Sequence, residues 1–440
     1  MGLPGWLGGP LGLLSPAFTT SRTPWPALPG DAPNVTSVAQ PTVLISGAGI
    51  AGPSLAFWLT KNGYRVIVVE IADGIRPGGQ TVDLRGAGGD VVERMGLMPQ
   101  MRAHALEQHG VAWVASDGSR RAEMPVTAFD GNGLVSKLEI LRGDLVDVLH
   151  QATKDSVEYR FNTRISALRQ GDDGVDVTLA DGRKMRADVV VGADGPHSAV
   201  RGMVFGPEDE FVKPLGGYNA WFTAPDHVGL DGWYLMYLAP GGLNASMRPT
   251  HDPAMAKAGL AFASEPISYD RRDVDAQRQM LVERFAGAGW RCDALLTAAQ
   301  EADDFYFDTF LQVKMPSWTS GRVALVGDAG YCASPLSGMG TSLALVGAYL
   351  LAGELGTANS FDAQRIQGAM QRYQTTMRPY VDKCQAIPNR VDHYAPNSAS
   401  DIAGNIAVMK WMQRWPFRPI ASRIWFKVAD SIELPDYSTA

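Results

Sequence analysis

Val43-Leu44-Ile45-Ser46-Gly47-Ala48-Gly49-Ile50-Ala51-Gly52 is the stretch that decides the fold. A short apolar run with the makings of a buried strand leads straight into a glycine-rich turn. A helical pattern over 50–62 follows and is stopped by Gly63. Val66-Ile67-Val68-Val69 then reads as a second buried strand, with Glu70 at its end. A strand–helix–strand unit of this length predicts parallel pairing, since antiparallel neighbours need only a tight turn. A bare Gly-x-Gly-x-x-Gly carries little weight. Set between a strand and a helix, with a carboxylate ending the next strand, it reads as a dinucleotide site. Gly47 permits the tight turn, Gly49 lets backbone approach a pyrophosphate, and Gly52, just after Ala51, lets helix and strand pack closely. The helix N-terminus offers free N–H groups and a positive dipole to the phosphate. Glu70 stands where a carboxylate accepts ribose hydroxyls.

Working outward, the pattern predicts a helix over 141–152 and a half-exposed strand over 175–179, which Asp181-Gly182 turns into a hairpin. Val189-Val190-Val191 and Val323-Ala324-Leu325-Val326 are further buried strands ending in acidic loops. Between them, residues 215–310 are richer in aromatics and short strand-like runs, a texture that predicts a second domain. There Tyr218-Asn219-Ala220-Trp221-Phe222-Thr223 and Leu243-Asn244-Ala245-Ser246-Met247 alternate as strands. In Trp233-Tyr234-Leu235-Met236-Tyr237, period two puts Tyr234 and Met236 on one face and the other three residues on the opposite face. The alternation leaves open which face looks inward. Long helices are predicted over 337–355 and 361–384. The tail over 401–430 carries Trp411, Trp415, Phe417, Trp425 and Phe426 at helical spacing among Lys410, Arg414, Arg418, Arg423 and Lys427. We read these aromatics as docking helices by ordinary packing, in preference to a membrane-surface role. The first forty residues hold only Arg22 and Asp31 as charges and are broken by seven prolines, so they read as a disordered leader; the early positive charge and unbroken apolar core of a signal peptide are missing.

Length sets a prior of roughly three domain-sized units for the 440 residues. With 45% apolar and 19% charged residues the chain is neither largely disordered nor collagen-like. Its 39 basic and 46 acidic residues leave a net charge of −7, which argues against a nucleic-acid partner. No apolar stretch reaches the roughly 18 residues that a membrane span needs. Cys292, Cys332 and Cys384 form no Cys-x-x-Cys pair and fit a reducing compartment, the cytoplasm. The seven histidines give no metal pair, since His104 and His109 are five apart and off a helix face. There is neither a Ser–His–Asp order nor a His-Glu-x-x-His motif. We therefore assign no metal site and no catalytic side chain.

Two further motifs complete the reading. One is Ala187-Asp188-Val189-Val190-Val191-Gly192-Ala193-Asp194-Gly195, running on through Ser198 to Arg201; the other is Gly327-Asp328, followed by Pro335, Gly338 and Gly340 at the start of a long helix. Together with the first motif they resemble the class A FAD-dependent monooxygenases, the fold of para-hydroxybenzoate hydroxylase, and most of all the tetracycline-inactivating and aromatic polyketide-hydroxylating members. The likeness covers nearly all of 41–437. It implies an α/β, two-domain fold: a Rossmann-like FAD-binding domain over 41–103, 138–204 and 312–378, a sheet-containing substrate domain over 104–137 and 205–311, and C-terminal helices over 379–440, after a leader over 1–40. By the same likeness Gly47, Gly49, Gly52 and Glu70 belong to the AMP half of an FAD site. Asp328 would bind ribityl hydroxyls, and the helix start at Pro335, Gly338 and Gly340 would face the pyrophosphate and the pyrimidine edge of the flavin. Asp194 and Arg201 match a motif that serves FAD and reduced nicotinamide jointly, and Arg85 would lie near the flavin. Arg142 begins a helix, where the dipole disfavours a cation unless an anion lies close, and the resemblance makes it an FAD contact. Read from the residues alone, Asp328 and Asp194 could instead cap turns, and Arg85 and Arg142 could be surface residues.

The sequence departs from the family's usual Asp-Ala-Ala-His and Gly-Gln-Gly, with Asp328-Ala329-Gly330-Tyr331 and Gly338-Met339-Gly340. Glycines and backbone supply most of the binding, so FAD remains expected. The resemblance implies hydroxylation of an aromatic or polycyclic small molecule through a C4a-hydroperoxyflavin, using O2 and either NADPH or NADH. With no second Gly-x-Gly-x-x-Gly after a strand, the nicotinamide would visit a shared cleft transiently. The implied partners are substrate and O2, with no nucleic acid or membrane, in a monomer or homodimer. A flavin reductase or dehydrogenase of the same superfamily and a non-catalytic binding protein on this scaffold are the alternatives. The second sheet should roof the flavin, with Trp221, Tyr234 and Met236 lining a pocket that is apolar, aromatic and poor in charge.

Overall fold

Thr42–Ser46 lies inside a six-stranded sheet of order Thr319–Ser320, Val323–Leu325, Val189–Gly192, Thr42–Ser46, Arg65–Val69, Glu158–Arg160. All neighbours run parallel except the first pair. Leu44 faces Ile67 on one side and Val190 on the other. Both faces of the central strands are covered, which is why these segments are continuous Val/Ile/Leu runs without alternation. The computed structural model describes residues 40–76, 79–131, 133–358, 361–387, 391–414 and 428–437. The leader expected over 1–40, save Gln40, lies outside the described residues, as do Trp415, Phe417, Arg418, Arg423, Trp425, Phe426 and Lys427 of the tail.

Helix Ala51–Lys61 packs on this sheet and against a second, longer helix, Gly340–Gly356, which is buried from Thr341 to Leu355. A helix apolar on all sides belongs in the interior. Burying its Leu, Val and Tyr side chains contributes roughly 1.5–3 kcal/mol each. Trp58 meets Tyr349 edge-on at 5.0 Å, and the Tyr64 hydroxyl donates to Leu355 O at 2.8 Å. The helix starts later than the 337 predicted, because Gly338 is left-handed at φ 65° and only a single 3₁₀ turn, Pro335–Ser337, precedes it.

The second large sheet has seven strands, in the order Tyr306–Val313, Val212–Pro225, Met255–Ala263, Leu243–Pro249, Trp233–Ala239, Gly110–Val114, Arg120–Pro125. All pairs are antiparallel except Trp233–Ala239 with Gly110–Val114. One face, carrying Tyr218, Phe222, Leu235, Tyr237 and Phe262, packs on helices Val274–Phe285 and Cys292–Glu301. The opposite face carries Trp113, Tyr234, Met236 and Leu238 at one end, where Ile402, Ile406 and Met412 of helix Ala399–Met412 cover them. The structure thereby settles the alternation: Tyr234 and Met236 point away from the helical layer. It also corrects the expectation for the tail at Trp411, which is 50% exposed while Ile402 and Ile406, one helical turn apart, do the docking. Among the described residues no helix is long and apolar enough to cross a membrane.

The Tyr331 departure is a core event. Its ring is fully buried edge-on to Trp318 at 4.7 Å, and its hydroxyl lies 2.9 Å from that of Tyr373. A Cβ at Gly347 would stand 1.9 Å from the Tyr331 Oη, so the large residue in the loop requires the small one in the helix. Gly347→Ala should therefore destabilise the protein by about 2 kcal/mol. In a Tyr331→Phe background the same change should cost markedly less, as urea titration of the double-mutant cycle would record.

Candidate functional site: the cleft at the carboxyl ends of the parallel strands

The glycine turn is built by close backbone contact. Gly47, at φ 108°, donates its N–H to Val69 O at 2.8 Å. A Cβ on Gly47 would lie 2.4 Å from Ala193 O, and one on Gly52 only 2.0 Å from Gly47 O. Gly49 is different: among the described residues the only atom such a Cβ would meet is Arg142 Nη2, at 3.2 Å, so its open side looks at a guanidinium. Glu70 is held at the end of its strand, Oε2 accepting from Ala48 N–H at 2.8 Å and Oε1 from Ala72 N–H at 2.9 Å. Each oxygen keeps a lone pair for a further donor. Ala51 is buried, its Cβ 3.2 Å from where a Cβ on Gly327 would stand, so the first motif abuts the third.

Arg142 is the first residue of helix Arg142–Gln151, and its guanidinium has no hydrogen bond or ion pair among the described residues. Asp328 opens the short helix Asp328–Tyr331 and feels the Arg142 charge across the cleft; burial pushes its carboxyl above the usual range, and Arg142 works in the opposite direction. Beyond Pro335, an added Cβ at Gly338 or Gly340 would meet nothing within 4 Å among the described residues. Gly47, Gly49, Gly52, Glu70, Arg142, Asp328 and the 338–340 turn thus gather at one end of the parallel sheet, the end where such sheets bind ligands. A backbone cradle, an unpaired cation and a carboxylate at a strand end together suit an anionic dinucleotide.

The second motif faces inward. Asp194 accepts from Ser198 Oγ at 2.5 Å, Ala199 N–H at 3.0 Å and Val200 N–H at 3.2 Å, capping helix Ala199–Val204, and burial raises its carboxyl. Arg201 is 0% exposed; it donates to Ala329 O at 3.0 Å and Pro196 O at 2.7 Å and lies 3.7 Å from Glu208. These residues tie the second motif to the third. Arg85 is ion-paired with Asp83 and donates to Gly133 O at 3.2 Å.

Some residues of the cleft escaped the sequence reading. Glu139, three residues before Arg142, meets Arg248 of the seven-stranded sheet at 3.4 Å. The Arg248 guanidinium lies 3.8 Å over the Tyr234 ring. Burial raises the Glu139 carboxyl, Arg248 opposes the shift, and Asp83 adds to it. The Trp221 face thus carries charge, and with Asn219, Asn244, Ser246 and Lys257 all buried on the sheet, the apolar pocket of the sequence analysis is corrected. The signal was present in the alternation of Asn244, Ser246 and Arg248 along one strand. His197, inside the second motif, bridges Glu208 at 3.0 Å and Asp308 at 3.1 Å, and Asp308 also accepts from the Tyr306 hydroxyl at 2.9 Å. For Arg201→Leu we expect a loss of about 3 kcal/mol of stability in urea, since the carbonyls of Ala329 and Pro196 lose their donor in the interior.

The comparisons agree with this geometry. The family model described as FAD binding domain matches residues 40–385. A flavin-dependent monooxygenase of Legionella longbeachae is 40% identical over 343 residues, which are 78% of this chain and 86% of the relative. The crystal structure of tetracycline destructase Tet(51) superimposes with a TM-score of 0.76 at 34% identity, covering 91% of this chain and 99% of that one. Tet(55) gives 0.75 at 36% identity, covering 90% and 99%. The cradle at Gly47–Gly52 and these matches lead to one conclusion: the chain belongs to the flavin-dependent monooxygenases of the FAD-binding domain family.

Proposed function

We propose that this enzyme hydroxylates a planar, polycyclic, oxygen-bearing small molecule laid against the Trp221 face of the seven-stranded sheet. FAD held here would supply the redox chemistry, with NADPH or NADH as reductant and O2 as oxidant. The protein's tasks are placement, electrostatics and exclusion of water. Backbone N–H groups around Gly49, with Arg142 above them, receive the pyrophosphate. Glu70 and Asp328 accept ribose and ribityl hydroxyls, and the turn from Pro335 through Gly338 to Gly340 leaves room for the flavin edge. Asp194 and Arg201 act by positioning: Asp194 accepts from Ser198, Ala199 and Val200, and the two terminal nitrogens of Arg201 donate to Ala329 O and Pro196 O. Arg85, held by Asp83, adds to the charge that faces Glu139. Trp221 offers the flat surface; Tyr234 and Met236 form its continuation towards the C-terminal helix. No side chain is assigned as an acid or base.

The observation that carries this reading is the segment Glu139–Arg142. Its last residue stands over Gly49, and its first reaches Arg248 on the sheet, so one short piece of chain spans nucleotide cradle and substrate face. The likeness to tetracycline destructases supports a large planar substrate. We assign the cofactor-binding share of the chain to 41–103, 138–204 and 312–378, the substrate-binding share to 104–137 and 205–311, and the C-terminal helices to 379–440. Buried, unpaired Cys292, Cys332 and Cys384 support a cytoplasmic enzyme, acting as a monomer or homodimer without nucleic acid.

The test is aerobic NADPH oxidation against a panel of phenols and polyketides, with product oxygen traced to labelled O2. NADPH consumption without oxygen in the product would make the protein a reductase. Asp328→Ala should leave a folded protein with lowered FAD retention, read from the flavin absorbance after gel filtration; full stoichiometric FAD at unchanged affinity would remove Asp328 from the site. Trp221→Ala should raise the substrate KM and the fraction of NADPH lost as hydrogen peroxide, because a loosened pocket admits water. Its FAD content should match the parent protein.

A further inference from the structure

Residues 428–437 lie along three helices of the nucleotide-binding side, Gly86–Met95, Gly340–Gly356 and Ala363–Gln385. After a single 3₁₀ turn, Val428–Asp430, the segment has neither helix nor strand. Side chains of these helices take its backbone carbonyls one after another. The Tyr380 hydroxyl donates to Ala429 O at 3.3 Å, and Lys383 Nζ to Ser431 O at 3.2 Å. Arg94 donates to Leu434 O at 3.2 Å and to Pro435 O at 2.7 Å, and Pro435 O also accepts from the Tyr349 hydroxyl at 2.6 Å. Two glycines leave room for the ends of the segment. A Cβ at Gly353 would stand 2.2 Å from the ring of Tyr437, whose hydroxyl donates to Glu354 Oε1 at 2.8 Å. A Cβ at Gly86 would stand 2.5 Å from Ala429 O.

Gly353 and Glu354 belong to the last turn of the long interior helix. Gly86 follows Arg85, and Arg85 O accepts at 3.2 Å from Ser342 Oγ in the first turn of that same helix. The segment therefore runs the helix from end to end, roughly 17 Å between Ser342 and Gly353 at the usual rise. One end backs the turn that carries Arg85 beside the helix start at Gly340, two elements assigned above to the cofactor. A segment gripped by side chains of its neighbours, with no ladder or helical turn of its own past Asp430, opens at lower cost than the core beneath it. We propose that residues 428–437 are a strap coupled to the cofactor: with Tyr437 seated over Gly353, Ala429 fixes the Arg85–Gly86 turn against the first turn of the long helix, and FAD is held tightly only in that state. Tyr437 is thereby a positioning residue a helix length away from the site. Such coupling is reciprocal, so FAD must hold the strap by the same factor by which the strap holds FAD. The proposal rests on the cofactor placement above, which Asp328→Ala tests separately.

The experiment is hydrogen–deuterium exchange, read by mass spectrometry, on the full chain stripped of FAD and then reloaded. Loading should slow exchange of the amides in 431–437 about tenfold. Fluorescence titration of the stripped protein with FAD should give a Kd about tenfold higher for Tyr437→Ala, as follows when the seated fraction falls to about one tenth. Tyr437→Phe, which keeps the ring over Gly353, should stay within about threefold of the parent. Leu281→Ala, in the core behind the seven-stranded sheet, should lower the urea midpoint and leave the FAD Kd unchanged. Equal exchange with and without FAD overturns the proposal, and so does a Tyr437→Ala protein that binds FAD like the parent. An equal rise in Kd for Leu281→Ala also overturns it, since FAD affinity would then report general stability alone. If Tyr437→Ala does not fold, the exchange measurement on the parent protein decides.

Discussion

Everything in this molecule hangs on three pieces of backbone that touch because no side chain stands between them. Gly47 lies under the carbonyl of Ala193, and Gly52 lies under the carbonyl of Gly47, at separations a Cβ cannot occupy. The contact sets how close the first helix comes to the first strand, and it brings the loop of the second motif over both. Side-chain packing around it is abundant but replaceable, since apolar volume can be redistributed. Backbone proximity cannot be redistributed. It also leaves N–H groups uncovered at a helix start, so the constraint that builds the fold is the one that creates an anion site.

A second layer of constraint converts that site into a cleft with two walls. Arg201 runs unexposed beneath the floor and joins the second motif to the third. Glu139 and Arg142 reach opposite sides from one segment, which fixes the seven-stranded sheet relative to the glycine turn. Charged groups perform both tasks. Carbonyls and carboxylates accept only from particular directions, so these ties hold a geometry that apolar contact leaves adjustable.

The parts legible in the sequence were those set by local pattern: the glycine turn, the continuous apolar strands, the hairpin at Asp181-Gly182 and the long interior helix. Less legible were features that depend on distant partners. Tyr331 looked like a departure of unknown consequence until Gly347 appeared beside it. Arg201 sits in a sequence motif that is the same whether the side chain points to a ligand or to Ala329, 128 residues away, and only the fold decides. The alternation in 233–237 identified two faces, but their orientation came from helices Val274–Phe285 and Ala399–Met412, well beyond any local window. The polar row of Asn244, Ser246 and Arg248 was readable in principle. Its pairing with Glu139 was not.

The seven-stranded sheet takes Gly110–Val114 and Arg120–Pro125 from one part of the chain and its other strands from a part that begins only after Val189–Gly192 has joined the parallel sheet. That parallel sheet in turn waits for Val323–Leu325. The two sheets are therefore interleaved in time as well as in space. During synthesis the early strands of each remain open-edged until most of the chain has left the ribosome: the seven-stranded sheet has its last strand at Val313 and the parallel sheet only at Leu325. Apolar edges are exposed for the duration, which makes the nascent protein a natural client for chaperones. For the same reason, a break anywhere between Arg120–Pro125 and Val189–Gly192 divides both sheets at once.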